Sequence, residues 1–236
     1  MTEQRVIAPA PAKGSLVQVN GAGDEPGRRG QIVRAATAVL ARQGYAATSL
    51  KDVAREAGVA PGLLHYYFES KQELLLEVVS GMEREMTADW QAAVANIEDP
   101  LERIVAALDH TAARCTERPE FFRLLFDLYN LGLSSPAIRV RCAEMWERFI
   151  DDIEGEVRRV LGRLPAYALL PPRDLAAAVA GAIDGIALSG LVTQRSSREL
   201  YHALKVMLLS LVVTAYVTAG QEPPVARLTE LLGRRN

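Results

Sequence analysis

Residues Thr48 to Lys71, TSLKDVAREAGVAPGLLHYYFESK, read as two short helices joined by a tight turn. Ser49 is placed to cap the first helix, with Asp52 three residues on, the spacing of a capping box. Leu50, Val53, Ala54 and Ala57 recur at three- and four-residue intervals and give that helix one apolar face. Gly58 follows at once, where a helix end favours a left-handed residue that glycine adopts without strain. Pro61 falls at the first position of the second helix, where its missing N–H costs nothing. The pattern predicts a helix-turn-helix, the arrangement that lays a second helix in the DNA major groove.

The second helix carries the informative surface. Leu64 and Phe68 are four apart and face inward together, which leaves His65, Tyr66 and Tyr67 pointing largely outward. Hydroxyl and imidazole N–H groups donate to phosphate oxygens, and aromatic rings lie well against thymine methyls. Lys71, just past the helix, adds a positive charge where a phosphate would sit. An ordinary αα-hairpin with a half-exposed aromatic patch fits the bare pattern too, since short motifs match by chance.

The spelling separates the two. Thr48-Ser49-Leu50, Val53-Ala54, Ala57-Gly58-Val59, Gly62, Tyr66-Tyr67-Phe68 and Lys71, preceded by Gln43-Gly44-Tyr45, resemble the DNA-binding domain of the TetR (tetracycline repressor) family. The resemblance runs from about Arg28 to Val79; beyond it only helix number and length match. It implies DNA contacts from Thr48, Ala60, Pro61, Gly62, Leu63, His65, Tyr66, Tyr67 and Lys71. Two positions depart from the family pattern. Ala60 stands where Ser or Thr usually caps the helix and meets a phosphate, so a cap of ~1 kcal/mol is missing. His65 stands where Tyr is usual, which makes that contact sensitive to pH.

The formal net charge of the 236 residues is −2, which by itself speaks against nucleic acid. Its distribution speaks the other way. Arg28 to Lys71 holds seven basic and three acidic side chains, so this segment is four positive charges to the good and the rest of the chain six negative. A basic module on an acidic body suits DNA binding, where phosphate contacts supply most non-specific affinity. Two cysteines, Cys115 and Cys142, without metal-ligand spacing, fit small core residues in a reducing cytosol. No signal peptide is legible, so a cytoplasmic location is expected.

In chain order, residues 1–27 hold an Ala-Pro repeat and a Gly/Asp/Glu/Pro patch and are expected to be a disordered tail. A helix is predicted from about Arg28 to Gln43, ended by Gly44, and completes a three-helix head over residues 28–72. A long helix from about Lys71 to Asn96 then links head to body. The body, 73–236, reads as helices over about Pro100–Thr116, Pro119–Gly132, Pro136–Gly162, Arg173–Gln194, Ser197–Ala219 and Val225–Leu232, with a proline-bounded loop at 165–172. The expected fold is all-α.

Residues 175–192 and 203–220 are apolar nearly all round. Such helices are buried on every side or cross a membrane. Asp184 and Lys205 make the membrane reading costly. Two helices apolar on both faces suit a homodimer, one face packing the monomer core and the other the partner.

No catalytic set, metal spacing or phosphate-binding glycine loop is present, so neither metal nor cofactor is expected. Asp184 is the one charge deep in an apolar helix, fit either for an interhelical hydrogen bond or for a pocket wall. The aromatics Trp90, Phe121, Phe122, Phe126, Tyr129 and Trp146 have the spacing of ordinary core. The family resemblance implies a ligand cavity among these helices, with Trp90, His110, Phe122, Phe126, Tyr129, Trp146 and Asp184 as its candidate lining. The reading is a homodimeric transcriptional repressor that binds double-stranded DNA at a palindromic operator and is released by a small-molecule inducer. The rival is a helical binding protein or enzyme that has kept a helix-turn-helix; the missing catalytic set argues against the enzyme.

Overall fold

A computed structural model describes residues 25–162 and 171–233. Ten helices follow in order: α1 Glu25–Ala47, α2 Leu50–Glu56, α3 Pro61–Tyr67, α4 Lys71–Val94, α5 Pro100–Glu117, α6 Pro119–Ser134, α7 Pro136–Leu161, α8 Pro172–Thr193, α9 Arg198–Thr218 and α10 Val225–Gly233. No strand occurs among the described residues. The disorder expected for the tail lies outside them, except that Glu25–Gly27 open α1. The loop expected at 165–172 lies outside as well, except that Pro172 opens α8.

Local chemistry sets the boundaries. Gly44, at φ 75° and ψ 169°, breaks α1 where the sequence places its stop, and the last residues continue as a short turn. The Thr48 hydroxyl donates to the freed Gly44 carbonyl at 2.7 Å. Ser49 and Asp52 form the reciprocal capping box: Ser49 Oγ accepts from Asp52 N–H, and Asp52 Oδ2 accepts from Ser49 N–H at 3.0 Å. At the other end of α2, Val59 N–H donates to Ala54 O and Gly58 N–H to Arg55 O, the paired bonds of a Schellman stop. Gly58, at φ 63°, makes that stop possible. The Gln31 side chain donates to the Ala57 carbonyl at 2.8 Å and ties α1 to the turn. Pro61 starts α3 without a side-chain cap from Ala60.

The largest core joins the head to the body. Ile32, Val39, Val53, Leu64 and Phe68 pack in one cluster with Leu75, Val78 and Met82 of α4 and with Phe121, Leu124, Leu125 and Leu128 of α6. Helix α6 therefore touches the head directly, a route between the two parts additional to the expected linker α4. A second cluster lies between α5, α7, α8 and α9, and a third joins α5, α9 and α10. Buried ion pairs hold the body together. Arg103 grips Glu156 through two bonds of 2.7 and 2.8 Å, and Lys205 meets Asp109 at 2.5 Å.

Helices α8 and α9 are long and apolar enough to cross a membrane by length and composition, yet only a third of each apolar window is buried within the chain. The exposed part is ordered. Gly181, Gly185, Leu188 and Val192 form one stripe on α8, and Ala203, Met207, Ser210, Thr214 and Val217 one on α9. Val192 is 74% and Met207 65% exposed. Exposed rows of apolar and small side chains of this kind mark an interaction surface.

Candidate DNA-binding surface and ligand pocket

Helix α3 is held from below by Leu64 and Phe68, both fully buried. Arg29 stacks on the Phe68 ring, 4.8 Å from its centroid, and pairs with Glu77 of α4 at 2.9 Å. The opposite side, Ala60, Pro61, Gly62, Leu63, His65 and Tyr66, meets solvent. Tyr66 is 72% exposed. Tyr67 is half-buried: it packs on the head core and meets Tyr66 edge to face at 5.3 Å. Lys51 and Arg55 of α2 stand exposed beside this surface.

Two expected DNA contacts sit differently. Thr48 is only 5% exposed, because its hydroxyl satisfies the carbonyl that the Gly44 break leaves open. Lys71 turns inward. Its ammonium donates to Tyr45 O and stands 3.9 Å from the Tyr45 ring centroid, a cation–π contact. Partial burial pulls its pKa below the usual lysine value. Tyr45 provides both attractions, and the sequence spacing of Lys71 carries no trace of this. Tyr66, by contrast, sits on the solvent face. Tyr66→Ala should weaken operator binding tenfold or more while helix content stays at the wild-type value, as read by fluorescence anisotropy and circular dichroism. Unchanged affinity would remove α3 from the interface.

A cavity of about 60 Å³ opens between α4, α5, α6, α7 and α8. Its aromatic walls are Trp90, Phe121, Phe122 and Phe149. Trp90 and Phe149 pack edge to face at 6.4 Å, Phe121 and Phe122 at 5.5 Å. Its charged residues are Glu83, Asp89, Arg114, Asp152 and Asp184. The first three are neutralised: Glu83 by Arg148 at 2.7 Å, and Arg114 by Asp89 and Glu85. Arg114 also lies 4.5 Å from the Phe121 ring centroid.

Asp152 and Asp184 pair with no cation among the described residues. Burial raises the pKa of both. Asp152 is raised further by its neighbours Asp151 and Glu156. Asp184 is pushed up to about 7 by burial, with a hydrogen bond from Tyr129 pulling the other way. Opposite them, His110 Nε2 is buried without a hydrogen-bond partner, a costly state unless something else meets it. Desolvated carboxylates beside aromatic faces form a receptor for an organic cation.

Of the residues expected to line a cavity, the structure gathers Trp90, His110, Phe122 and Asp184 around this one. Phe126, Tyr129 and Trp146 stand one layer behind. Their rings form an edge-to-face chain, Phe126 to Tyr129 at 6.2 Å, Tyr129 to Trp146 at 6.1 Å and Trp146 to Phe149 at 6.3 Å, that ends on the pocket wall. Tyr129 acts on the cavity only through its bond to Asp184. Phe149 and Asp152 were not anticipated. A signal was present: Met145, Phe149 and Asp152 share a face of α7 at helical spacing, and all three line the cavity. Among the described residues no cluster has the donors to hold a metal ion.

Comparison with known proteins bears on the family and the fold. Residues 32–78 match the family model of bacterial regulatory proteins, tetR family, and residues 100–222 that of the C-terminal domain of BetI-type transcriptional repressors. The HTH-type transcriptional regulator BetI of Agrobacterium fabrum is 31% identical over 168 residues, 70% of this chain and 77% of the relative. The regulator of the same name from Rhizobium meliloti is 38% identical over 118 residues, 50% of this chain and 58% of its own. Among solved structures, a transcriptional regulator from Pseudomonas aeruginosa superposes with a TM-score of 0.71 at 16% identity, covering 84% of this chain and 96% of its own. One from Saccharomonospora viridis, solved in complex with choline, superposes with a TM-score of 0.66 at 23% identity, covering 76% of this chain and 94% of its own.

Proposed function

The chain belongs to the tetR family of bacterial regulatory proteins and is a DNA-binding transcriptional regulator; on that premise we propose that it is a cytoplasmic, homodimeric repressor released from a palindromic operator by a small organic cation. Residues 28–72 serve as the DNA-binding head, and two copies lay α3 in successive major grooves about 34–36 Å apart. Ala60, Pro61, Gly62, Leu63, His65 and Tyr66 face the DNA. Thr48, Tyr67 and Lys71 support that face from within the head. Residues 73–236 bind the ligand and the partner, and no catalysis takes part. The apolar stripes on α8 and α9 meet a second copy instead of lipid, since Asp184 and the Lys205–Asp109 pair tie both helices into the body.

The observation that carries the ligand class is the coincidence, in one cavity, of the Asp152 and Asp184 carboxylates with the rings of Trp90 and Phe149. A quaternary ammonium such as choline, the molecule held by the S. viridis regulator, fits this chemistry: it needs no hydrogen bond at nitrogen, attracts carboxylates and sits well on aromatic faces. Its wall reaches the head directly, because Phe121, Phe122 and Leu125 of α6 line the cavity and also belong to the core shared with α1. A ligand shifts DNA affinity only by its preference for one dimer geometry over the other, typically 1–3 kcal/mol, and DNA weakens the ligand equally.

The test is operator affinity with and without choline, in wild type and Trp90→Ala. Choline should weaken operator binding in wild type. Trp90→Ala should bind operator normally while losing choline affinity tenfold or more. If choline occupies the body and operator affinity does not move, the release mechanism is wrong.

A further inference from the structure

We propose that the pocket's ligand is an amphiphilic cation whose apolar arm enters a second chamber behind Trp90. The proposal rests on the cation reading above and adds the shape and class of the molecule. The second cavity, of about 50 Å³, lies between α4, α5, α7, α8 and α9. Ile104, Leu108, Ile153, Val157, Val179 and Leu208 are among its walls. Its one charged lining residue, Glu156, is buried and gripped by Arg103 through both carboxylate oxygens, so the chamber offers hydrocarbon and no free charge.

Trp90 and Ile183 line both cavities. A single layer of side chains therefore stands between a chamber with carboxylates and one that is dry. Trp90 is only half-buried and is held from the first cavity by an edge contact with Phe149. An empty apolar chamber leaves its walls without contact partners, and an apolar group entering it restores them. A polar arm would find no hydrogen-bond partner there. An anionic head would face Asp152 and Asp184. The molecule that satisfies both ends carries a permanent or protonated nitrogen and an alkyl or aryl arm.

Calorimetric titration of the full chain tests this with choline, the butyl, hexyl, octyl and decyl trimethylammonium ions below micelle formation, and octanoate. Affinity is expected to rise about three- to fourfold per methylene until the chamber is full, then level off; octanoate should not bind. Val179→Phe and Leu108→Phe each fill the chamber without touching the first cavity, and should bring the longer ions back to the affinity of the shortest. A flat series in wild type, with choline still bound, overturns the chamber and spares the cation reading. A chain-length gain that survives in the folded variants also overturns it, because the arm then lies elsewhere. Octanoate binding as tightly as the octyl cation would show that the head site does not select charge. If no trimethylammonium ion binds, the cation reading fails and this inference with it.

Discussion

Asp184→Asn should raise the unfolding temperature strongly at pH 8 and by clearly less at pH 5. Burial holds the Asp184 proton up to about pH 7, whereas an unfolded chain releases it near 3.8. Between those values the unfolded state binds fewer protons than the folded one, so stability falls as pH rises through the window. Above it the native chain carries a desolvated carboxylate with no cation beside it, at a cost of about 4 kcal/mol at most. Asparagine keeps the shape and the bond with Tyr129 but not the charge, so the gain is absent below the window, grows through it and is complete above it. The neighbours that face Asp184 in the cavity are Asp152, His110, Glu83, Asp89 and Arg114. Asp152 is itself raised, by burial and by Asp151 and Glu156. Thermal melts at the two pH values decide the matter; equal shifts at both would mean that Asp184 is not held neutral. The same ionisation should strengthen binding of a permanent cation between pH 5.5 and 8 in wild type, and the variant should flatten that rise. The cost of the charge in the empty pocket is what a cationic ligand would offset.

The head was legible because its signals are local. Ser49 with Asp52, Gly58 and Pro61 each act within a few residues of themselves, and the capping box, the Schellman stop and the α3 start lie where the spacing puts them. Lys71 was not legible in the same way. A lysine just past a helix reads as an outward charge, and it is Tyr45, 26 residues earlier, that supplies the carbonyl and the ring that turn it inward. In the body, Trp90, His110, Phe122 and Asp184 stand out as rare residue types within apolar stripes, and the structure gathers them at one cavity. Phe126, Tyr129 and Trp146 have the same look and lie a layer back, because a stripe gives the face of a helix but not its depth in the bundle. Asp152 reads as one more surface acid among Asp151 and Glu154. The second chamber has no local signature at all, since five helices build it from ordinary core residues.

Met207→Glu and Gly185→Leu should both break the dimer and, with it, tight operator binding. They approach the interface by opposite routes. Met207 is 65% exposed in the single chain, so a glutamate there costs the subunit little. In a two-fold dimer the change occurs twice, on self-complementary faces. It forfeits the burial of two methionines, about 3 kcal/mol or more, and adds two charges to an apolar contact. A loss of dimer affinity of at least a hundredfold is expected. Gly185 is exposed and a Cβ there meets nothing within 4 Å in the single chain, so a side chain there starts from open space in the monomer. Against a close partner helix it overpacks, at about 1–3 kcal/mol. Sedimentation should show monomers for both variants, with wild-type helix content by circular dichroism. Operator affinity should then fall by two orders of magnitude or more, because the second head no longer binds as part of the same molecule. Residual binding to any duplex should persist, still falling steeply with salt, since each head keeps its own phosphate contacts. Dimers that survive both substitutions would place the interface away from α8 and α9, and the exposed apolar stripes on those helices would then need a different partner.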